Sequence, residues 1–331
     1  MTIARSFCLL LILVTCVAAA APARKENAAA PNAAALADAA EKGDVEAVRS
    51  LLRRHLDVNA ASEDGTPALH WIVRMQDIQT ARLLLKAGAD ADGSNRYGVK
   101  PLHIAISNAD VPMVQLLLGA HADPNSSDTT GETCLMMAAR GGRVEIVKAL
   151  LDRGATVDAR DPEYQQTALM IAARGGSEPI VRLLIERGAQ VDAQTRTGAA
   201  PAFRLPASNS GSKGAGVVRG GWPERGERDP VPGAKTPLLY AAREGHIEVA
   251  TLLLTSGASL EKADADGVTP LLMSILNGRL ALAQWLIDRG ANVNAQDWYG
   301  ETPLWAAVDL RDVDLAGPGR DNGIDLSLIH I

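Results

Sequence analysis

Residues Thr236–Ala258 read TPLLYAAREGHIEVATLLLTSGA and contain signals for two successive helices. Thr236 is a favourable N-cap, and Pro237 suits the first helical position because the N–H that proline lacks would have no partner there. Apolar residues recur at helical spacing as far as Gly245, which ends the first helix, and then resume up to Gly257. The stretch therefore predicts a helix, a turn and a second helix, followed by an extended loop.

The same phrase recurs along the chain. Its starts lie 34, 33, 34, 69, 33 and 33 residues apart, at Thr66, Lys100, Thr133, Thr167, Thr236, Thr269 and Thr302. A constant period near 33 residues is typical of proteins built from stacked structural units. One unit cannot bury its apolar face alone, so stability comes from contacts between neighbours. We therefore expect one elongated all-α domain, although a length of 331 residues would otherwise suggest two globular domains.

The interval of 69 residues exceeds the period by 36 and marks an insertion at residues 199–234. The insertion is rich in Gly, Pro, Ser and Arg, and it carries five basic and three acidic side chains in a chain of net charge −6. Its Trp222 is followed by Arg225 and Arg228, and an exposed Trp is a candidate interface anchor. Two interpretations stay open: a tolerated surface loop, or a loop that binds a partner or covers a substrate.

The N-terminus resembles a secretory signal peptide. Arg5 precedes an apolar stretch shorter than a typical membrane span, and residues 18–21 are small alanines suited to cleavage. We therefore predict export to a periplasmic or secreted location, with no membrane span in the mature chain. An alternative is lipid attachment at Cys16, because residues 13–16 read LVTC and resemble a bacterial lipobox.

The C-terminal residues depart from the repeat. The final LSLIHI, residues 326–331, is what a widely used transposon sequencing adaptor encodes in frame. We interpret residues 315–331 as an irregular tail that marks a truncated gene.

These signals divide the chain into a signal peptide, a flexible leader, a repeat domain and the tail. The predicted ranges are 1–21, 22–34, 35–314 and 315–331. Within the domain, the predicted repeats span about 35–65, 66–99, 100–132, 133–166, 167–235, 236–268 and 269–301, with an incomplete copy at 302–314.

The repeated phrase resembles the ankyrin repeat, whose signature is Thr-Pro-Leu-His, an Ala-Ala pair, a Gly-His turn, a Leu-Leu pair and Gly-Ala. The copies that begin at Thr66, Lys100 and Thr236 carry it most clearly, and the likeness extends from about Ala35 to Asp314. The resemblance implies an ankyrin-repeat solenoid of helix–turn–helix units joined by short hairpin-like loops. It also implies that partners bind to the loop tips and to the concave face formed by the first helices.

No pattern of catalytic or metal-binding residues stands apart from the repeat. Five of the six histidines occupy repeat positions, namely His55, His70, His103, His121 and His246. The resemblance implies structural hydrogen bonds between repeats for His70 and His103. The Asp-rich segments 90–93 and 264–267 lack the acidic twelfth residue of a calcium-binding loop, so we interpret them as turns. Cys134 has no partner for a disulfide within the mature chain, and we expect a buried thiol there. We therefore expect no enzyme activity, no cofactor and no bound metal.

A protein partner is the interaction that the sequence favours. The net charge of −6 argues against nucleic acid, and we expect a monomer. Aromatic residues are only 3% of the chain, yet three predicted loop tips carry them, at Tyr97, at Tyr164 and at the pair Trp298 and Tyr299. Tyr and Trp are common interface anchors, although these side chains would alternatively pack on the adjacent tip. The tryptophans expected to pack within helices are Trp71, Trp285 and Trp305.

The sequence thus favours an exported, bacterial-type, non-catalytic scaffold that binds a protein of the cell envelope or secreted space. Two alternatives stay open. In one, the array directs a catalytic domain that lies beyond Ile331; in the other, the protein is an exported effector that acts on host proteins.

Overall fold

The computed structural model of the protein describes residues 34–54, 56–197 and 233–308. Residues 303–308 are helical, and so are α1 (Ala35–Glu41), α2 (Val45–Leu52), α3 (Ala68–Arg74), α4 (Ile78–Lys86), α5 (Pro101–Ser107), α6 (Val111–Gly119), α7 (Cys134–Gly141), α8 (Val144–Asp152), α9 (Ala168–Arg174), α10 (Glu178–Glu186), α11 (Pro237–Glu244), α12 (Ile247–Thr255), α13 (Pro270–Leu276) and α14 (Leu280–Ile287). These ranges contain no strand, only two isolated bridges, Ala61 with Pro67 and Ser127 with Thr133. The predicted all-α fold is confirmed.

The helices form two layers along a solenoid. Each odd-numbered helix, the first helix of its unit, packs on the next odd-numbered helix from α1 to α13, and the even-numbered helices pack likewise from α2 to α12. One apolar cluster runs through these layers from Leu36 to Ala306. Ala138, Ala172 and Ala241 are almost completely buried on first helices, where their small side chains let adjacent helices approach closely.

Threonine hydroxyls cap the N-termini of several first helices. The Oγ1 atom accepts a hydrogen bond from the N–H three residues later at Thr133, Thr167, Thr236 and Thr269, and Thr302 does the same at the start of the helical residues 303–308. At α3, however, Pro67 occupies the N-cap and Thr66 lies outside the helix, where its hydroxyl donates to Asp64. The Thr66-Pro67 pair is therefore one residue out of register with the later Thr-Pro pairs. Measured between N-caps, the interval from Pro67 to Lys100 is 33 residues.

Many helix ends in the described ranges have the left-handed backbone that glycine favours, and three of them bear on the predictions. Gly245 ends α11, as the sequence predicts, with φ of 87° at the C-cap, and Gly257, where the sequence predicts a left-handed residue, has φ of 95°. His121 takes the same conformation after α6 with φ of 68°, in a position where other repeats place glycine. A histidine adopts this region less readily than glycine, so the position imposes local strain. His55 lies outside the described residues.

A ladder of hydrogen bonds joins each repeat to the next. A side-chain oxygen near the end of one repeat accepts from a backbone N–H of the following repeat at distances of 2.7–3.1 Å. The acceptors are Asn59, Asp92, Asn125, Asp158, Asp192 and Glu261, and the donors are Asp90, Asp123, Thr156, Gln190, Ser259 and Asn292. The sequence analysis missed this ladder, although the acceptors recur at the repeat period.

The ladder continues across the insertion. Asp192 accepts from the N–H of Ser259, 67 positions later in the chain, and α9 packs directly on α11. The chain leaves and re-enters the array at one loop: the N–H of Thr195 donates to the carbonyl of Lys235, and the N–H of Ala234 donates to the carbonyl of Thr195. Gly233 and Ala234 therefore belong to the loop, and the departure from the regular repeat falls between Thr197 and Gly233.

None of the helices in the described ranges is long and apolar enough to cross a membrane. The predicted signal peptide, Cys16, the leader and the C-terminal tail lie outside those ranges.

We predict that Asp192→Ala and Asp158→Ala destabilise the protein to a similar extent, by about 1 kcal/mol each, because each removes one inter-repeat acceptor. The two aspartates occupy equivalent positions, one at the insertion and one in the regular array. Urea unfolding followed by circular dichroism measures both changes. A cost for Asp158→Ala with none for Asp192→Ala would show that the repeats on either side of the insertion are not stacked.

Candidate partner-binding surface

The loops that precede the first helices form a row of tips with one recurring geometry. An Asn or Asp at the first position accepts hydrogen bonds from the N–H groups two and four residues later, as Asn95 does from Tyr97 and Val99. The tips so formed are 95–99, 128–132, 264–268 and 297–301. The Asp-rich segment that includes Asp264 is thus a turn, as predicted, and burial raises the pKa of Asp264.

The tip at residues 161–166 is one residue longer than the others. Asp161 accepts from the N–H groups of Glu163, Tyr164 and Gln166, and Gln165 takes a positive φ of 57° where the regular tips have glycine. Pro162 lies against the neighbouring tip, where a Cβ on Gly131 would come within 2.3 Å of its Cδ. The longer tip accounts for the 34-residue interval between Thr133 and Thr167.

Three of the aromatic side chains predicted to bind a partner are well exposed. Tyr97 is 60% exposed, Tyr164 50% and Trp298 59%, whereas the adjacent Tyr299 is half-buried. Their role in binding stays a prediction. The other predicted residues, Trp222, Arg225 and Arg228, lie outside the described residues.

The tryptophans expected to pack within helices behave differently from one another. Trp71 and Trp285 are partly buried against the core cluster, as expected. Trp305, by contrast, is 47% exposed, because it lies on the outward side of the helical residues 303–308 together with Leu304 and Val308.

A groove of about 240 Å³ lies between the tips 128–132 and 161–166. Its apolar floor consists of Met136 on α7 and Ile171 on α9, which are 1% and 4% exposed. Tyr164 stands at its edge, so the groove contains one of the predicted binding residues. The sequence analysis did not predict a groove.

Charged side chains line the groove on two sides. Arg140 and Arg174 extend from α7 and α9, and Glu132, Asp161 and Glu163 belong to the tips. Arg140 donates two hydrogen bonds to Glu132, at 3.0 and 2.8 Å. Through a hydrogen bond and its charge, Glu163 raises the pKa of the neighbouring Tyr164 phenol.

Three histidines make structural hydrogen bonds to segments outside their own helix. His70 donates from Nε2 to the carbonyl of Val99 at 3.0 Å, and the Nε2 atom of His103 lies 3.2 Å from the hydroxyl of Ser126. The Nε2 atom of His246 lies 3.1 Å from the carbonyl of Arg174 and so links the repeats on either side of the insertion. The resemblance implied bonds between repeats for His70 and His103, whereas by the repeat bounds given above each of these two bonds joins a first helix to the loop at the end of its own repeat.

The cysteine at position 134 lies in the same buried network. Its Sγ atom is 3.3 Å from the Ser126 hydroxyl, and burial raises the pKa of the thiol to about 11. A thiol with that pKa is a poor nucleophile at neutral pH. The described ranges also contain no cluster of three or more histidine, cysteine or acidic side chains placed to hold a metal ion.

We predict that the protein loses stability as the pH falls below about 6.5. Burial lowers the pKa of His70 and of His103, whereas the same side chains in the unfolded chain take up protons near pH 6.5. Protonation therefore favours the unfolded chain, by up to about 1.4 kcal/mol per pH unit for each histidine. Urea midpoints measured at a series of pH values and fixed ionic strength test this. An NMR titration that gives ordinary pKa values for both histidines would contradict it.

Comparison with known proteins places this architecture in a family. A family model described as "Ankyrin repeats" matches three times, over residues 36–128, 102–195 and 238–316. Similar solved structures include the ankyrin repeat domain of Bcl-3, described as a unique member of the IkappaB protein family. That match has a TM-score of 0.57 and 26% identity, and it covers 77% of this chain and 100% of the other. Comparison with curated proteins finds no match.

Ankyrin repeats are generally protein–protein interaction modules, and their fold is typically a non-catalytic binding scaffold.

Proposed function

Because the chain belongs to the ankyrin repeat family, as its repeated phrases predicted, we propose that it is a non-catalytic scaffold that binds a protein partner in the cell envelope or secreted space. Binding takes place through the loop tips and the concave face formed by the first helices. Export rests on the signal-like N-terminus, with Arg5 and the apolar residues that follow it.

The observation that carries the proposal is the exposure of Tyr97, Tyr164 and Trp298 on separate tips of one continuous array. Large aromatic side chains bring apolar contact area and a polar group to an interface, and only two χ angles are fixed on binding. The three side chains occupy different positions within their tips, on three repeats that are not consecutive, and together they give a partner exposed aromatic contacts along the array. The interior positions of the repeats, by contrast, are occupied by buried Leu, Ala, Val and Ile side chains.

We predict that a photo-crosslinking residue, p-benzoylphenylalanine, captures the partner when it replaces Tyr97 or Tyr164, but not when it replaces Leu83. Leu83 is a matched control, because it is 42% exposed but lies on the second helix α4 rather than on a tip. Crosslinking is carried out in the protein's own cells, and products are followed by fractionation and immunoblotting.

A discrete product in the envelope or secreted fraction, specific to the tip positions, is the expected result. Equal crosslinking from Leu83, or no product from either tip, would count against partner binding through the tips. Recovery of the protein from the cytosol alone would contradict the proposed export.

A further inference from the structure

We propose that the groove between the tips 128–132 and 161–166 binds an extended segment of the partner that places an apolar side chain on Met136 and Ile171 and a neighbouring carboxylate against Arg174. This inference rests on the proposed function, because it assigns the chemistry that one part of the binding surface recognises.

The floor and the volume of the groove favour one apolar side chain. Met136 and Ile171 present apolar surface at the base, and a methionine adapts to different shapes because its side chain is unbranched and flexible. Pockets for small-molecule ligands usually have volumes of about 300–1,000 Å³. A groove of about 240 Å³, open between two tips, therefore suits a single side chain with its backbone better than a complete small ligand.

The hydrogen bonds within the groove leave one cation available. Glu132 is paired with Arg140, and the carboxylate of Asp161 is held by the backbone N–H groups of its own tip. The guanidinium of Arg174 has no hydrogen-bond or ion-pair partner among the side chains that the structure describes. An arginine offers a planar fork of N–H donors whose geometry matches a carboxylate. The unpaired group at the edge of an apolar floor is therefore a recognition point for an acidic side chain.

The arginines beside Arg174 have acidic partners of their own. Arg140, Arg174 and Arg243 each follow the capping threonine of their helix by seven residues, on α7, α9 and α11, which pack on one another in that order. Burial raises the pKa of the Tyr240 phenol, and the charges of Arg174 and Arg243 oppose that rise. Arg140 is paired with Glu132, and Arg243 lies 3.7 Å from Glu244, so Arg174 is the cation of this set that an acidic side chain of a partner can pair with.

The charge of Glu163 distinguishes an acidic ligand from a basic one. Glu163 is exposed and lines the groove together with Arg140 and Arg174, so its carboxylate repels an acidic segment. Removal of this charge should strengthen binding, while removal of Arg174 should weaken it. A segment with a basic side chain would produce the reverse pattern.

The test selects ligands from a phage library of random dodecapeptides against the full chain and measures the affinity of the selected peptides by fluorescence polarisation. We expect the selected peptides to share an apolar residue beside an Asp or Glu. Arg174→Ala should weaken their binding about tenfold, and Glu163→Gln should strengthen it. Arg182→Ala is the matched control, because Arg182 is an exposed arginine on the second helix α10 that pairs with Glu178. Its effect should stay within about twofold.

Circular dichroism and urea unfolding of each variant show that the array stays folded. Selection of basic peptides, no selection of any peptide, or equal binding by the wild type and Arg174→Ala would each overturn the assignment of the groove. If crosslinking from Tyr164 nevertheless captures a partner, the proposed function stands without this inference. If the peptides behave as expected and no partner is captured from the tips, the proposed function fails separately.

Discussion

Contact between neighbouring repeats is the constraint on which the rest of this structure depends. A pair of helices with seven to nine residues each has too little apolar surface to fold alone, so every repeat is stabilised by the repeats beside it. Two interactions share this task. Apolar packing of successive first helices is strong but has little directional preference. The ladder from Asn59 to Glu261 adds directional hydrogen bonds, which fix the distance and register between repeats.

This division explains where the chain tolerates a long insertion. The departure after Thr197 begins at a loop tip, which contributes to neither the packed helices nor the ladder. The hydrogen bonds of Asp192 with Ser259, and of His246 with the Arg174 carbonyl, cross the insertion as if the repeats were consecutive in sequence. The same loop places the N–H of Arg196 on the carbonyl of Tyr164. The insertion therefore begins beside the tip that borders the groove.

The sequence predicted the features that every repeat must share, and it was less informative about those that belong to one repeat. The Thr caps, the left-handed Gly245 and the all-α stack follow from local rules, because each is required by helix geometry alone. The Thr66-Pro67 pair gave a helix start one residue too early, because this copy has one more residue between its opening and His70 than the next copy has between Lys100 and His103. The exposure of Trp305 depends on which neighbours cover it, and an intrahelical pattern does not contain that information. Tyr164 was identified by its residue type, but the groove beside it requires the spatial relation of two tips.

A deviation from the repeat carries more functional information here than the repeat itself. Residues at consensus positions already have structural roles. The tip aspartates accept hydrogen bonds from backbone N–H groups, the histidines bond to segments outside their own helix, and Cys134 lies in a buried network. The tip 161–166 departs from this regular pattern by one added residue. This tip and its neighbour line the groove, Tyr164 is among the lining residues, and the Arg174 guanidinium has no hydrogen-bond or ion-pair partner among the side chains that the structure describes. Since the stack fixes the helices on both sides, such a change is confined to one interface. An ankyrin array can therefore acquire a specific binding site through one loop while its core stays unchanged.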